Sequence, residues 1–204
     1  LSLFFIDEVA KYRQYDELGN EINGEYGEIF EEEYMAVLNK YITIEDTPYI
    51  QYLKSIAVQD THKGYFSIDK KTNRMVNPTL GKKSEISDDI SAYDLILKNK
   101  ERLLSFDEPC RFIFSHSALR EGWDNPNIFQ ICTLKQSDSK ITKRQEVGRG
   151  MRLCVNADGI RQDYALLQND IHNINKLTVV ASDSYKDFVG ELQSEFKDDL
   201  YNHP

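Results

Sequence analysis

Two arginines in the C-terminal half of the chain, Arg149 and Arg152, have the chemistry of an anion-binding pair. They stand three residues apart in residues 145–153, which read QEVGRGMRL. We expect a helix here, and residues three apart on a helix share a face, so both guanidinium groups could reach one anion. Each guanidinium has a planar fork that binds phosphate oxygens two at a time. The spacing therefore predicts contact with a phosphoryl group, and a solvated basic helix end is the simpler alternative.

Two glycines lie beside Arg149, at Gly148 and Gly150. Glycine has no side chain, so we expect a partner surface to approach the backbone closely at these positions. Glycine in a helix interior costs about 1 kcal/mol relative to alanine. That cost disfavours the reading of this segment as an ordinary solvated helix end.

A second unusual stretch is residues 121–126, EGWDNP, upstream of the arginines. Gly122 permits a tight approach of the backbone, and Asp124 can accept hydrogen bonds from a ribose hydroxyl or pair with an arginine. The stretch follows a predicted buried strand, and open α/β sheets bind ligands at the carboxyl ends of their strands. A Gly-Asp-Asn-Pro turn with no ligand is the alternative interpretation.

The elements that must position these residues alternate between short apolar runs and amphipathic segments. This alternation predicts an α/β fold, a doubly wound parallel sheet with helices on both faces. We expect buried strands at residues 1–6, 110–117, 127–134 and 177–182. We expect helices in a short segment from Asp7, which could cap it, and at 28–42, 46–59, 87–105, 139–153 and 183–200.

Residues 22–107 interrupt the alternation after the first strand and helix. We therefore interpret them as an insertion, mostly helical, into a single domain of residues 1–204. Within the insertion, two extended runs around a Lys/Thr/Asn turn predict a β-hairpin of residues 65–68 and 75–77.

Composition narrows the class of protein. Of 204 residues, 40% are hydrophobic and 29% charged, as in soluble globular domains. No apolar run approaches the roughly 20 residues that span a bilayer, so we expect no membrane partner. The three cysteines form no CxxC or Cys/His pattern, so we predict no metal site and a reducing, cytoplasmic setting. The net charge of -9 is unlike that of a protein that binds nucleic acid unaided.

The order and spacing of the two stretches resemble motifs V and VI of superfamily 2 helicases. GWD resembles the glycine-x-aspartate of motif V. QEVGRGMR has the pattern Q-x-x-G-R-x-x-R at all four constant places, Gln145, Gly148, Arg149 and Arg152. With residues 1–13, LSLFFIDEVAKYR, and 103–153, the chain resembles the Res (restriction) subunit of type III restriction-modification enzymes. The resemblance implies the second, C-terminal RecA-like motor domain of such a subunit.

The resemblance also implies roles for individual residues. Arg149 and Arg152 would be arginine fingers that face the γ-phosphate of ATP, and Gln145 would lie beside them. Gly122, Asp124 and Gly148 would line the same cleft. DNA phosphates would lie near Ser115, His116 or Ser117, where the family often has threonine and this sequence departs from it.

Cofactors and partners follow from the same resemblance. No G-x-x-x-x-G-K-[ST] loop occurs in the chain, so ATP and Mg²⁺ would be bound mainly by a first RecA-like domain outside it. No ordered set of nuclease carboxylates is evident either, and we expect a separate nuclease domain in the same polypeptide. The implied partners are double-stranded DNA and the modification (methyltransferase) subunit, in the bacterial cytoplasm. We expect the fragment by itself to be inactive.

A different class of function stays open. The chain could be a stand-alone interaction module with a degenerate helicase fold. Its binding surface would then be the insertion at 22–107, which carries tyrosines and the predicted hairpin.

Overall fold

The structure of the chain, a computed structural model, describes residues 1–42, 47–69, 71–77, 102–116, 125–136, 139–181 and 183–202. In chain order, its strands are β1 (Ser2–Phe5), β2 (Arg13–Tyr15), β3 (Glu21–Asn23), β4 (His62–Tyr65), β5 (Ser67–Asp69), β6 (Arg74–Val76), β7 (Phe112–Ser115), β8 (Gln130–Thr133) and β9 (Thr178–Ala181). Its helices are α1 (Glu25–Ile42), α2 (Pro48–Ser55), α3 (Lys140–Gly148), α4 (Tyr164–Leu167), α5 (Ile171–Ile174) and α6 (Asp183–Asn202).

Five of these strands form the central sheet, in the order β4-β7-β1-β8-β9. The pairs β4 with β7, β1 with β8 and β8 with β9 all run parallel. Parallel neighbours need long crossover connections, which helices usually supply. A parallel sheet with helical connections confirms the predicted α/β class.

The chain divides into two compact units. The N-terminal unit consists of residue 1 and residues 8–119, and the C-terminal unit consists of residues 2–7 and 120–204. In the N-terminal unit, aromatic rings form much of the core. Tyr12 is fully buried and stacks on Phe114 of β7 with ring centroids 4.5 Å apart. In the C-terminal unit, aliphatic side chains from β1 and β8, Leu3 and Ile131 among them, are buried.

The stretch 22–107, predicted as an insertion, contributes a strand to the central sheet. This strand, β4, begins His62-Lys63-Gly64, so no apolar run marks it in the sequence. Gly64 lies against aromatic rings, since a Cβ atom added there would be 2.7 Å from atoms of both Tyr12 and Phe66. The strand is thus specified by close tertiary packing, which periodicity does not reveal.

The predicted hairpin is confirmed with shifted bounds. Strands β5 and β6 pair antiparallel, with Ile68 opposite Met75. The Asp69 carboxylate accepts the backbone N–H groups of Lys71 and Thr72, both at 2.9 Å. Asn73 has a positive φ of 56°, a conformation that asparagine tolerates better than most residues. These local contacts form the turn that the Lys/Thr/Asn sequence predicts.

Other predicted elements differ in extent. The helix predicted from Asp7 is a single 3-10 turn, Val9–Lys11, and Glu8 rather than Asp7 occupies its N-cap position. The prediction was wrong because β2 follows at once and pairs with β3. Helix α2 begins after Thr47, whose hydroxyl accepts the N–H of Ile50 at 3.3 Å. Most of the helix predicted at 87–105 lies outside the described residues, and Arg102–Leu104 forms a 3-10 turn.

Candidate functional site

Helix α3 carries the predicted site and is strongly two-sided. It begins after Ser139, whose hydroxyl accepts the N–H of Thr142 at 3.2 Å. Val147 is buried in a cluster with Phe188 and Leu192 of α6. Gln145 is exposed. The inner side of the helix is therefore packed on its own unit, and the side bearing Gln145 faces outward.

The arginines lie just beyond the end of α3, which was predicted to continue to residue 153. Arg149 is the C-cap residue, and its N–H donates to the carbonyl of Glu146 at 3.4 Å. Two further i→i−3 bonds follow, from Gly150 to Val147 at 3.0 Å and from Met151 to Gly148 at 3.3 Å. The helix thus ends in a tight turn, so helical spacing does not by itself place the two guanidinium groups on one face. Arg149 is half-buried, and Arg152 is exposed.

The two glycines of the motif have different surroundings. A Cβ atom on Gly150 would be 2.5 Å from a methyl carbon of Leu177, so this glycine accommodates packing within its own unit. A Cβ atom on Gly148 would meet nothing within 4 Å among the described residues. Close approach of an outside surface, which the sequence predicts for both positions, is therefore compatible with the geometry at Gly148 only.

The segment that follows the arginines is held by two asparagine amides. Val155 donates its N–H to Oδ1 of Asn127 at 2.8 Å, and the Asn127 Nδ2 donates to the Val155 carbonyl at 2.9 Å. Asn175 Oδ1 accepts the N–H of Cys154 at 2.8 Å. These bonds, invisible in the sequence pattern, anchor the downstream end of the turn that contains Arg149 and Arg152.

A buried ion pair lies directly under the motif. Glu146 has no exposed surface, and Lys135 is 9% exposed. Lys135 Nζ lies 2.5 Å from Oε1 of Glu146 and 5.6 Å from the centroid of the Phe5 ring. Neither residue is evident as a site residue from the sequence pattern, because glutamate and lysine are rarely buried and Glu146 occupies a variable place of the motif. The only signal in the sequence was that Glu146 lies on the same side of the predicted helix as Lys143 and Val147. Both of these residues are also buried.

The other predicted site residues lie outside the described ranges or belong to the N-terminal unit. Ser117, Gly122 and Asp124 lie outside the described residues, so the predicted proximity of Asp124 to the arginines stays a prediction. Ser115 is the buried last residue of β7, and His116 follows it half-buried; both belong to the N-terminal unit.

The described residues include no candidate metal cluster and no thiol with a lowered pKa. Within the described ranges, no three His, Cys, Asp or Glu side chains form a possible metal site. Burial raises the pKa of the Cys110 thiol to about 12, and it also raises the pKa values of Cys132 and Cys154. These thiols are therefore protonated near neutral pH and poor nucleophiles. In the part of the chain that the structure describes, no helix is long and apolar enough to cross a membrane.

Curated relatives of the chain share one description. The chain is 45% identical over 159 residues to the Res subunit of the type III restriction-modification enzyme EcoP15I of Escherichia coli. It is 46% identical over 159 residues to the EcoPI Res subunit of Escherichia phage P1. It is 36% identical over 176 residues to the StyLTI Res subunit of Salmonella typhimurium. No family model matches the chain.

These matches cover most of the chain but a small part of each relative. They include 76% of the chain for the first two relatives and 79% for the third. The chain spans only about 15% of the length of the relatives from Escherichia coli and phage P1, and 16% of the third. The described structure contains a parallel α/β sheet, and residues 145–152 have the pattern Q-x-x-G-R-x-x-R. The chain is related to one segment of the Res subunits of type III restriction-modification enzymes, which confirms the resemblance read from the sequence.

Proposed function

We propose that the chain is the second RecA-like motor domain of a type III restriction enzyme and supplies arginine fingers for ATP hydrolysis. One observation carries the proposal. Gln145 in α3 and Arg152 just beyond its end are exposed, whereas Glu146 and Val147 of the same helix are buried. A catalytic arginine needs this combination, because its side chain must reach a ligand while its backbone stays anchored.

The donor set fits a polyphosphate. Arg149, Arg152 and Gln145 present N–H donors, and guanidinium groups bind phosphate oxygens through two parallel hydrogen bonds. ATP would supply the phosphoryl group, and the arginines would stabilise the negative charge that spreads over its oxygens as it transfers. Gln145 would orient a group in the same cleft. No described residue would lie within 4 Å of a Cβ atom on Gly148, which would let the nucleotide-bearing domain approach the turn.

The remaining parts of the reaction belong to other regions of the proposed enzyme. The described residues hold no carboxylate cluster suited to Mg²⁺, so the first RecA-like domain would bind Mg²⁺ with ATP. Hydrolysis would drive changes in DNA contact, and cleavage would be the task of a separate nuclease domain. A net charge of -9 fits a domain that makes few of the phosphate contacts itself. Double-stranded DNA and the modification subunit are the proposed partners, and Ser115, His116 and Ser117 the proposed DNA contacts.

The test compares three arginine variants of the complete enzyme, assembled with its modification subunit and supplied with DNA. Arg149→Ala and Arg152→Ala should still bind ATP, while the rate of hydrolysis falls by about 10³- to 10⁵-fold for an essential finger. The matched control is Arg144→Ala, because Arg144 lies on the same helix and pairs with Glu195 of α6 at 2.6 Å on the surface. The control should hydrolyse ATP normally. Near-normal turnover in both finger variants would sink the proposal.

A second candidate function rests on a groove in the N-terminal unit. Helices α1 and α2 border a groove of about 770 Å³ that is rich in aromatic side chains. It is lined by Phe30, Tyr34, Tyr41, Tyr49, Arg111 and Phe112 among others. An interaction module would use this surface. It would not require the turn that carries Arg149 and Arg152, which we call the arginine turn. Normal hydrolysis by the finger variants, together with loss of partner binding in Tyr49→Ala, would favour this alternative.

A further inference from the structure

We propose that the buried ion pair of Lys135 and Glu146 is a positioning device that holds the arginine turn in its reactive place. The inference rests on the proposed function of Arg149 and Arg152. Neither Lys135 nor Glu146 touches a ligand in this proposal. Their task is to set the location of the turn relative to the edge of the sheet.

The covalent and hydrogen-bonded path from the pair to the arginine is short. The Glu146 side chain meets Lys135 Nζ at 2.5 Å, and the Glu146 carbonyl accepts the backbone N–H of Arg149 at 3.4 Å. One residue thus joins the ion pair to the backbone of the proposed finger. Gln145, the exposed polar residue of the motif, is the preceding neighbour of Glu146. Any shift of Glu146 along the helix axis would move both site residues with it.

The other end of the pair is fixed to the sheet. Lys135 lies two residues beyond the end of β8, and its Nζ lies over the ring of Phe5, the last residue of β1. The N–H of Leu134 donates to the Phe5 carbonyl at 2.8 Å, which ties this connection to the end of β1. Lys135 is therefore fixed at the carboxyl ends of β1 and β8, and its ion pair with Glu146 sets the position of α3 relative to these strands.

Hydrophobic packing could hold α3 without a charge pair, and the helix has such packing already. Val147 lies in the cluster with Phe188 and Leu192. Apolar contacts are non-directional, so they tolerate small sliding movements of the helix. An ion pair in a dry environment does not, because a slip separates two charges that have lost their water. The ion pair therefore restrains sliding of the helix in a way that apolar packing does not. Such a restraint matters most where a side chain must contact a transition state.

The experiment replaces the pair with apolar residues in the complete enzyme with its modification subunit and DNA. Lys135→Met combined with Glu146→Leu removes both charges together, a change that buried pairs often tolerate in stability. We expect a melting temperature close to that of the unmodified enzyme, an almost unchanged KM for ATP, and a kcat about 10- to 100-fold lower. A purely structural pair would instead give a folded enzyme with full kcat, which would overturn the inference.

A matched control pair is available on the same helix. Lys140 and Glu191 form an ion pair at 2.7 Å, with side chains 74% and 55% exposed. Lys140→Met with Glu191→Leu makes the same chemical change on the surface, and kcat should stay within about twofold because exposed pairs contribute little. An equal fall in kcat in this control would also overturn the inference.

A charge-swapped pair, Lys135→Glu with Glu146→Lys, covers the case in which the apolar pair fails to fold. A folded swapped enzyme whose kcat exceeds that of Glu146→Gln supports positioning by charge pairing. A swapped enzyme as slow as Glu146→Gln contradicts it. Arg149→Ala in the same assay reports on the proposed function separately. If that variant is slow while the apolar pair is fast, only the positioning inference fails.

Discussion

Two buried polar clusters, one in each unit of the chain, are held together in different ways. In the N-terminal unit, His62 is 2% exposed and its Nδ1 lies 2.8 Å from the Tyr12 hydroxyl. Its Nε2 lies 3.2 Å from Glu31, whose carboxylate also accepts a hydrogen bond from Asn23 at 2.6 Å. In the C-terminal unit, Lys135 and Glu146 meet as a full ion pair.

The two clusters differ in charge, because the buried ring of His62 is neutral whereas Lys135 and Glu146 form an ion pair. Burial lowers the pKa of His62, against the opposing effect of Glu31, so the ring is neutral near pH 7. A neutral ring can accept from Tyr12 at Nδ1 and donate to Glu31 at Nε2, and aromatic rings surround it. Phe30 and Phe114 have centroids 4.7 Å and 6.1 Å from that of His62.

The two clusters contribute differently to the stability of the core and to the placement of neighbouring residues. A neutral, hydrogen-bonded network among rings can stabilise a core at modest desolvation cost. A buried ion pair gains little net stability over an apolar pair, because both charges must leave water. The His62 network therefore stabilises the core of the N-terminal unit. The Lys135–Glu146 pair, in the role proposed above, fixes the position of the turn that carries the arginines.

The largest expected effect comes from removing one charge of the C-terminal pair. Lys135→Met should lower the free energy of unfolding of the chain by about 3–5 kcal/mol, because it breaks an ion pair to a fully buried carboxylate, that of Glu146. Urea unfolding followed by circular dichroism measures the change. The control Lys140→Met breaks an exposed pair and should cost about 0–1 kcal/mol. Equal losses for the two variants would mean that burial of the Lys135 pair has no energetic consequence.

The N-terminal network should respond less strongly. Tyr12→Phe keeps the ring stack on Phe114 but removes the hydroxyl that contacts His62. We expect a loss of about 1–3 kcal/mol, since a buried acceptor is left unsatisfied. Tyr49→Phe, at a position that is 57% exposed, serves as the control in the same urea assay. A loss larger than that of Lys135→Met would reverse the comparison.

Two glycines, one in each unit, differ in how closely other atoms surround them. Gly64→Ala brings a Cβ atom to 2.7 Å from the Tyr12 and Phe66 rings and should destabilise the chain by about 1–2 kcal/mol. Gly148→Ala meets no described atom within 4 Å, so stability should stay the same or rise by up to about 1 kcal/mol. Thermal unfolding measures both. If another domain approaches Gly148 in the complete enzyme, that variant should also hydrolyse ATP more slowly, and unchanged hydrolysis would argue against such an approach.

The smallest expected effect is the pH dependence that His62 contributes. Its pKa in the folded chain is lowered, so on acidification the unfolded chain takes up the proton first. The stability contributed by the neutral ring should be complete above about pH 6.5, the ordinary pKa of histidine, and decline as the pH falls below it. Urea midpoints measured from pH 8 to pH 5 should fall less steeply in His62→Gln. Parallel curves for the two proteins would show that His62 does not contribute to the slope.

Local signals in the sequence were sufficient for much of the fold. Apolar runs predicted β1, β7, β8 and β9 because buried parallel strands need few polar residues. The predicted burial is wrong for β9, an edge strand in which Thr178 and Val180 are exposed. They missed β4, whose residues His62 and Lys63 are polar and become strand only through pairing with β7. The helix that carries the motif was predicted correctly in type and too long in extent. Its end depends on the tight turn at residues 148–151 and on the packing of Leu177 against Gly150, and the second of these is a tertiary contact.

By itself the sequence determined the α/β class, the family resemblance and the Q-x-x-G-R-x-x-R pattern, since each depends on residue types at short or regular spacing. Only the tertiary structure decided that Glu146 pairs with Lys135 and that Asn127 and Asn175 hold the segment after the arginines. It also decided that Leu177 packs against Gly150, whereas among the described residues no atom lies close to Gly148. The physical reason is that burial and pairing of a polar side chain depend on residues distant along the chain, and no local pattern specifies which of them will meet.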